Sequence, residues 1–363
     1  MPDQTLPLDP PATIAALDTP SVVIDLDIVE RNLRRAQDYV DAHKLALRPH
    51  IKTHKIPEFA HRQLALGARG ITCQKLGEAE VMADAGISDI LITYNLIGPA
   101  KMARLVALRR RIDIKVVADS AEVVQGLSAA MSAAGLTLPV MVECDTGAHR
   151  CGVVEPEAAA RLGALIARSP GLRFLGLMTY PPHGGIAVAN IWVARALEAC
   201  RREGLEVEVV SSGGTPDLAH AHELHGVTEH RPGTYIYNDR SLVERGACGW
   251  EDCALTIAAT VVSRPAPERC IIDAGSKSLS SDTLGLKGHG RIVEYPALQI
   301  SGLSEEHGHV VIPAGSKAPA IGERVQVIPD HACVVTNLHD RVYGARNGRI
   351  ERVFEISARG RTQ

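Results

Sequence analysis

The feature that most constrains the fold is a repeating pattern over the first two thirds of the chain. Short runs rich in β-branched residues alternate there with stretches rich in Ala, Leu and Arg. This alternation predicts a parallel sheet with helical crossovers. The predicted strands are eight in number: 45–49, 71–75, 90–94, 114–118, 139–144, 174–180, 207–211 and 233–237.

Eight such strands can close into a (β/α)8 barrel or form an open doubly wound sheet, and the spacing modestly favours the barrel. The helices predicted around and between them are 28–42, 56–66, 79–85, 100–109, 121–134, 157–168 and 190–203. After about residue 240 the pattern changes to strands without long helices, which indicates a mostly antiparallel β domain. Its predicted strands are 254–262, 269–273, 291–300, 309–312, 324–328 and 352–356, with 21–26 as an early strand.

We therefore predict two domains, because 363 residues exceed what one hydrophobic core usually organises. Residues 27–242 form the predicted barrel, and residues 1–26 with 243–363 form the predicted β domain. The first strand of the β domain thus comes before the barrel in the chain.

Composition restricts the class of partner. Lys and Arg number 39 against 42 Asp and Glu, a formal charge of −3, so no basic field argues for nucleic acid or an anionic membrane. No secretory leader pattern opens the chain, and no run of eighteen apolar residues follows. The eight cysteines lack CxxC pairs, which is typical of a reducing compartment. We predict a cytoplasmic protein whose partner is a small molecule.

The densest chemical signal is the cationic run Arg48-Pro49-His50-Ile51-Lys52-Thr53-His54-Lys55 at the end of the first predicted barrel strand. The ends of barrel strands form the active-site face. A lysine desolvated there among other cations has a lowered amine pKa and can form an imine with an aldehyde cofactor. The alternative, a solvated basic turn, explains the octapeptide alone equally well.

Two further segments follow predicted strands at the same face, and a third lies at the eighth predicted strand. Ser211-Ser212-Gly213-Gly214-Thr215-Pro216 suits a phosphate, since glycines let backbone N–H groups approach an anion. Glu143-Cys144-Asp145-Thr146-Gly147-Ala148-His149-Arg150 holds an arginine in a turn, and Arg231-Pro232-Gly233-Thr234-Tyr235 adds a second arginine. Each segment alone is as typical of an ordinary turn; their shared position relative to Lys52 makes them candidates.

These motifs, with Asp18-Thr19-Pro20 upstream and Ile356-Ser357-Ala358-Arg359-Gly360 at the end, resemble the D-threonine aldolase and D-serine dehydratase family of fold-type III pyridoxal-phosphate (PLP) enzymes. The resemblance implies an alanine-racemase-like barrel and a homodimer. It implies that Lys52 is the Schiff-base lysine, that Arg150 contacts the phenolic oxygen of PLP, and that Arg231 faces the pyridine nitrogen. The residues implied to bind the cofactor are Lys52, His50, Arg150, Tyr180, Ser212, Gly213, Gly214, Thr215, Arg231, Gly233, Thr234 and Tyr235.

The resemblance also implies a divalent metal ion at Asp330-His331-Ala332-Cys333. Alternate residues of an extended segment project to one face, so His331 and Cys333 can bind one cation together. The family's aldolases carry His and Asp here, and its dehydratases carry His and Cys. A thiolate favours zinc over manganese or magnesium, although two protein ligands leave the choice open.

The predicted reaction is cleavage of the Cα–Cβ bond of D-threonine and related β-hydroxy-D-amino acids to glycine and an aldehyde. His183 is the candidate base for the β-hydroxyl, although Tyr180-Pro181-Pro182-His183 departs from the family's usual Tyr-His-Gly, and Tyr180 is a further catalytic candidate. The alternative is β-elimination of water from D-serine or D-threo-3-hydroxyaspartate, which Cys333 favours. A racemase would leave the metal pair without purpose, and a non-catalytic PLP-binding protein would lack the second domain.

Overall fold

A computed structural model describes residues 12–363 of the chain. The segment before it, on which the prediction of no leader depends, lies outside the described residues. Seventeen strands are present among those residues. Their bounds are β1 Ser21–Asp25, β2 Ala46–Leu47, β3 Ile71–Cys73, β4 Asp89–Ile92, β5 Asp113–Ala118, β6 Leu138–Cys144, β7 Leu172–Thr179, β8 Val209–Gly213, β9 Glu229–Arg231, β10 Leu255–Ala266, β11 Arg269–Ile272, β12 Arg291–Ile292, β13 Gln299–Leu303, β14 Gly308–Val311, β15 Arg324–Ile328, β16 Arg341–Arg346 and β17 Arg349–Glu355.

Along the chain, most of the helices lie between consecutive strands from β2 to β8. Their bounds are α1 Leu26–Ala42, α2 Pro57–Leu66, α3 Leu76–Asp84, α4 Pro99–Arg111, α5 Ala121–Ala134, α6 Pro156–Arg168, α7 Ile186–Arg202, α8 Arg240–Glu244, α9 Ser276–Leu279 and α10 Ala332–Leu338. Several begin where the sequence expects them to. Pro99 and Pro156 stand in the first turns of α4 and α6, where a proline's missing N–H costs no helical bond.

The described chain divides into two compact units. The barrel unit comprises residues 34–52, 57–233 and 361–363, and the β unit comprises residues 12–33, 53–56 and 234–360. The barrel unit holds β2 to β9, which are parallel, in the order β2-β9-β8-β7-β6-β5-β4-β3. His50 and Thr72 form a parallel bridge between the two ends of this sheet. The sheet therefore closes into the predicted (β/α)8-type barrel.

Charged side chains fill one layer of the barrel interior. Arg48 is 2% exposed and donates from Nε to Glu229 Oε2 at 2.6 Å, while its Nη1 pairs with Asp89. Lys115 Nζ also reaches Asp89 Oδ1 at 2.9 Å. Burial alone lowers the pKa of Arg48, but the attraction of Glu229 and Asp89 outweighs it and raises the pKa above its ordinary value. An apolar layer of Leu91, Val117, Met141, Leu175, Met178 and Val209 fills another part of the core.

The β unit contains the remaining strands in a mostly antiparallel arrangement. The order is β13-β14-β11-β10-β1-β16-β17, and β15 pairs with both β10 and β12. The exception in direction is β1, which pairs parallel with β16. The early strand predicted at 21–26 therefore lies within this sheet.

Three predictions of local structure are wrong. The eighth barrel strand is Glu229–Arg231, not 233–237, and Thr234–Ile236 is a 3-10 turn. The predicted strand 291–300 is two short strands, β12 and β13, and β16 was not predicted. The segment at 331–333 is not extended throughout, because His331 caps helix α10 and Cys333 lies within it.

Candidate active site

Lys52 lies in the 3-10 turn Ile51–Thr53, directly after the first barrel strand. Its side chain is half-buried, and its backbone N–H donates to Nδ1 of His50 at 3.3 Å. His50, between β2 and this turn, forms the bridge to Thr72 of β3. The amine is thus carried at the carboxyl end of the barrel strands, where the predicted active-site face lies.

A hydrogen-bonded chain fixes the state of His50. Its Nδ1 accepts from Lys52, so Nε2 carries the proton and donates to Gln74 Oε1 at 3.1 Å. Gln74 Nε2 in turn donates to the Thr93 carbonyl at 3.0 Å, which sets the direction of the amide. Burial, with the nearby charge of Lys52 second, holds the pKa of His50 well below its usual range. The imidazole is therefore neutral and adds no positive charge beside Lys52.

The predicted phosphate loop, Ser212 to Thr215, begins in the last two residues of β8, extends two residues beyond it and is buried throughout. Gly214 has φ +122°, which disfavours any residue with a side chain. A Cβ at Gly213 would lie 2.9 Å from Arg231 Nη2, so glycine is also needed there for space. Thr215 Oγ1 accepts from the Gly233 N–H at 3.2 Å, which joins the loop to the end of β9.

His230 also forms a hydrogen bond with the predicted phosphate loop. The side chain is 1% exposed, and its Nε2 donates to the Gly214 carbonyl at 3.0 Å. The carbonyl is thus held toward His230, and in a trans peptide the following N–H, that of Thr215, points the opposite way. Burial lowers the pKa of His230 to about 4. Sequence reasoning missed this residue, since an isolated histidine in a strand gives no signal.

We expect acid to destabilise the protein through His230. Because its pKa is lowered to about 4 on folding, the unfolded chain binds more protons below the ordinary value near 6.5. Stability is therefore present above pH ~6.5 and falls as the pH drops toward 4, by about 3 kcal/mol in total. Urea unfolding at several pH values should show this loss in the wild type and a smaller one in His230→Gln. The control His149→Gln, at a side chain 90% exposed, should behave as the wild type does; equal losses in all three would contradict the assignment.

Arg231 is buried and hydrogen-bonded on two sides. Its Nη1 donates to Ser211 Oγ at 2.6 Å, and its Nη2 donates to the Thr179 carbonyl at 2.8 Å. The Ser211 hydroxyl in turn donates a hydrogen bond to Glu229 Oε1 at 2.6 Å. Arg231 is thereby connected through Ser211 to the buried Glu229–Arg48 pair. Burial lowers the pKa of Arg231 to about 10, and the guanidinium remains charged at neutral pH.

Arg150 and Tyr180 lie together on two neighbouring loops. The Arg150 guanidinium carbon is 5.0 Å from the centre of the Tyr180 ring, and both side chains are exposed. The same ring is 3.5 Å from the position of a Cβ built on Gly214. Glu143 is buried near the end of β6, seven residues before Arg150 in the chain. Burial raises its pKa to about 7, against the opposing effect of Arg150.

His183 forms a dyad with a buried carboxylate. Its Nδ1 is 3.0 Å from Asp217 Oδ1, which also accepts the Gly184 N–H at 3.1 Å. The side chain is 44% exposed, so the imidazole is not enclosed by the protein. A carboxylate at Nδ1 holds the tautomer in which Nε2 accepts a proton. Asp217 was not predicted, although it stands two residues after the phosphate loop.

His331 and Cys333 are brought together in the β unit. The imidazole is in hydrogen-bond contact with the Cys333 thiol, and its Nδ1 lies 2.7 Å from Asp282 Oδ2. Burial lowers the pKa of His331, but these two partners outweigh it and raise the pKa to about 9. Thr53 Oγ1 and Thr234 Oγ1 approach Cys333 Sγ at 3.1 and 3.5 Å. Thr234 therefore contacts the predicted metal pair, while Tyr235 is buried beside it in the chain.

Two kinds of feature are absent from residues 12–363. Within that range no group of three or more His, Cys, Asp and Glu side chains has the geometry to hold a metal ion. Over the same residues, no helix has the length and apolar character needed to cross a bilayer.

Comparison with protein families defines the class of the molecule. Residues 24–241 match the model of the alanine racemase N-terminal domain, and residues 254–345 match a putative serine dehydratase domain. A barrel of the first kind with a lysine at its first strand, joined to the second kind of domain, defines a fold-type III PLP enzyme.

Full-length relatives narrow the class. The chain is 39% identical to a D-threonine aldolase of Arthrobacter sp., over 98% of this chain and 96% of the relative. It is 35% identical to a D-threo-3-hydroxyaspartate dehydratase of Delftia sp. (strain HT23), over 88% of this chain and 92% of the relative. The crystal structure of D-threonine aldolase from Filomicrobium marinum superposes with a TM-score of 0.92 at 35% identity, covering 99% of this chain and 100% of that one. The chain belongs to the D-threonine aldolase and D-serine dehydratase family of PLP-dependent lyases.

Proposed function

We propose that this enzyme cleaves the Cα–Cβ bond of D-threonine and related β-hydroxy-D-amino acids, giving glycine and an aldehyde. The observation that carries the proposal is the similarity to D-threonine aldolases, which extends over nearly the whole of both chains. It includes the segment of Lys52 and the segment of His331 and Cys333. A small, hydroxylated D-amino acid is the substrate class that follows.

The barrel unit offers the residues that PLP requires. A phosphate fits the loop from Ser212 to Thr215, because Gly213 and Gly214 leave space that a Cβ would fill. Lys52 supplies the amine for the cofactor aldehyde, and Arg231 and Arg150 supply cations for the ring. His50, Tyr180 and Gly233 would complete the site in this unit, with Thr234 and Tyr235 following Gly233 in the chain. When bound, PLP withdraws electrons from the substrate Cα and so stabilises negative charge there.

Each side chain then has a role that its surroundings support. Lys52 would hold the cofactor through its side-chain amine. Arg231 is charged and fixed by Ser211, so it presents N–H donors and no acidic proton to a ring nitrogen. Such a partner would leave the pyridine nitrogen unprotonated, so the cofactor would withdraw electrons less strongly from the substrate. Cleavage would then depend more on groups that act on the substrate β-hydroxyl.

Two groups of residues are proposed to act on the β-hydroxyl. His183, oriented by Asp217, is the proposed base that takes the proton from the β-hydroxyl. His331 and Cys333 are the proposed ligands of a divalent ion, zinc in preference to manganese or magnesium given the thiol. Their fit rests on the imidazole–thiol contact and on the two hydroxyls beside Cys333. When bound, the ion acts as a Lewis acid toward the hydroxyl.

The products formed from D-threonine test the proposed reaction. We expect glycine and acetaldehyde in equal amounts from the PLP- and metal-loaded enzyme. The measurement is glycine by chromatography and acetaldehyde by coupled reduction with an NADH-dependent dehydrogenase. L-threonine is the matched control and should give neither product. Formation of 2-oxobutanoate and ammonia from D-threonine would contradict the aldolase assignment.

That last outcome is the alternative function, a dehydratase acting on D-serine or D-threo-3-hydroxyaspartate. Two observations favour it: the pair is His with Cys, and the Delftia relative is named as a dehydratase. In that reaction Lys52 would remove the Cα proton, and His331 with Cys333 would hold the ion whose positive charge favours the departure of hydroxide. We place it second because the aldolase relative is more similar and covers more of the chain.

Three further proposals concern the whole molecule. The resemblance supports a homodimer, and the net charge of −3 supports a small-molecule partner without nucleic acid or a membrane. The scattered cysteines support a cytoplasmic location. We also keep the domain division proposed from the sequence, 27–242 for the barrel and 1–26 with 243–363 for the β domain.

A further inference from the structure

Asp282 makes a contact with His331 that the proposed metal role does not by itself explain. Its Oδ2 lies 2.7 Å from Nδ1 of the imidazole. The aspartate belongs to a loop 49 residues before the histidine, so the contact does not arise from sequence proximity. His331 is 22% exposed on its side chain, whereas Asp282 is 43% exposed. The carboxylate thus covers one edge of a largely enclosed imidazole.

The contact decides which ring nitrogen is available. A carboxylate only accepts hydrogen bonds, so Nδ1 must carry the proton that it donates to Asp282. When the ring loses its second proton, the lone pair is therefore on Nε2. Since Nδ1 is occupied by Asp282, Nε2 is the ring nitrogen that remains for a cation shared with Cys333, which stands two residues further along the chain.

Resting on the metal role proposed above, we propose that Asp282 is the positioning residue of the His331–Cys333 pair. It holds His331 in the Nδ1–H tautomer and turns Nε2 toward Cys333, so that the two donors share one cation. A carboxylate behind a ligating histidine also increases the basicity of the ligand nitrogen. Asp282 itself stays outside the set of ligands.

The loop fixes the carboxylate in the orientation that this role requires. Asp282 Oδ1 accepts the Leu284 N–H at 3.2 Å, and the Asp282 N–H donates to Ser280 Oγ at 3.0 Å. One carboxylate oxygen is therefore used by the loop and the other by His331. A carboxylate held at both oxygens loses little further freedom when it orients the imidazole.

The test is the zinc affinity of purified, PLP-containing, metal-stripped protein, measured by competition with a chromogenic chelator. We expect Asp282→Ala to weaken zinc binding by about 10- to 100-fold, the range for lost outer partners of metal ligands. Asp282→Asn should lie between Asp282→Ala and the wild type, because its amide oxygen still accepts the Nδ1 proton without the charge. Asp340→Asn is the control, since it removes a surface carboxylate of the same unit that pairs with Arg359.

The ligand variants separate the two proposals. If His331→Ala and Cys333→Ala bind zinc as the wild type does, the metal site itself is wrong. If they lose zinc while both Asp282 variants bind it normally, only the positioning role is overturned. A loss in Asp282→Asn as complete as in His331→Ala would make Asp282 a ligand and would also overturn it. Thermal unfolding of each metal-free variant shows whether it is folded, and Asp282→Asn keeps the test available if Asp282→Ala is not.

Discussion

Lys52→Ala should abolish the visible absorbance of bound PLP and reduce lyase activity on the order of 1000-fold or more. The residue is the lysine of the turn that follows β2, and its neighbour His50 is held neutral beside it. Without the amine the cofactor has no covalent anchor and no group to exchange with the substrate. Absorbance spectra of the purified variant, with and without added PLP, and the glycine assay measure the two effects.

Two other lysine variants make this result specific. Lys52→Arg keeps the positive charge but offers a guanidinium, which remains protonated and does not form an imine. It should therefore also lack the band. Lys101→Ala, on helix α4, should keep both the band and the activity. An unchanged band in Lys52→Ala would remove the cofactor assignment of this residue.

Glu229→Gln should lower the free energy of unfolding by about 3 to 5 kcal/mol, because it removes one partner of a buried ion pair. Glu229 and Arg48 are each 2% exposed on their side chains, and their closest N and O atoms are 2.6 Å apart. Losing the carboxylate leaves the Arg48 guanidinium short of its partner inside the barrel and also weakens the acceptor of the Ser211 hydroxyl. Urea unfolding at pH 7 measures the change.

A surface pair of the same kind provides the comparison. Glu208 pairs with Arg173, and both side chains are almost half exposed. Removing such a pair typically changes stability by about 1 kcal/mol or less. Glu208→Gln should therefore leave the unfolding midpoint nearly unchanged. A small effect in both variants would mean that the charges inside the barrel do not hold its strands together.

The sequence predicted most of the fold because hydrophobic periodicity reports which faces are buried. Helix α5 and strand β15 have the predicted bounds, and seven predicted barrel strands overlap real ones. The eighth strand was misplaced for a physical reason. Glu229 and Arg231 face the charged interior, so β9 has a polar sequence, whereas Tyr235 and Ile236 are buried in a 3-10 turn that sequence patterns take for a strand. Pattern reasoning fails where a strand buries charges.

In the site, some residues could be predicted from short sequence motifs, whereas others are brought together only by folding. Lys52, the phosphate loop and the His331–Cys333 pair stand in short motifs, so their residues could be named in advance. The groups that fix their states come from elsewhere: Gln74 orients His50, and Asp282 contacts His331 across 49 residues. The metal pair was also expected on a strand. Instead its histidine precedes helix α10, and the contact arises because the chain turns there.

The charged layer of the barrel links residues of five different strands or their ends, among them Arg48, Asp89, Lys115, Ser211 and Glu229. Each forms an ion pair or a hydrogen bond with another member of the set, and Arg231 joins the same chain of contacts through Ser211. A change at one of these positions is therefore tolerated only alongside a compensating change at another. Aligned relatives should show correlated substitutions at these positions. A substitution that changes the surroundings of Arg231 should therefore be accompanied by substitutions among the charged residues that stabilise the barrel.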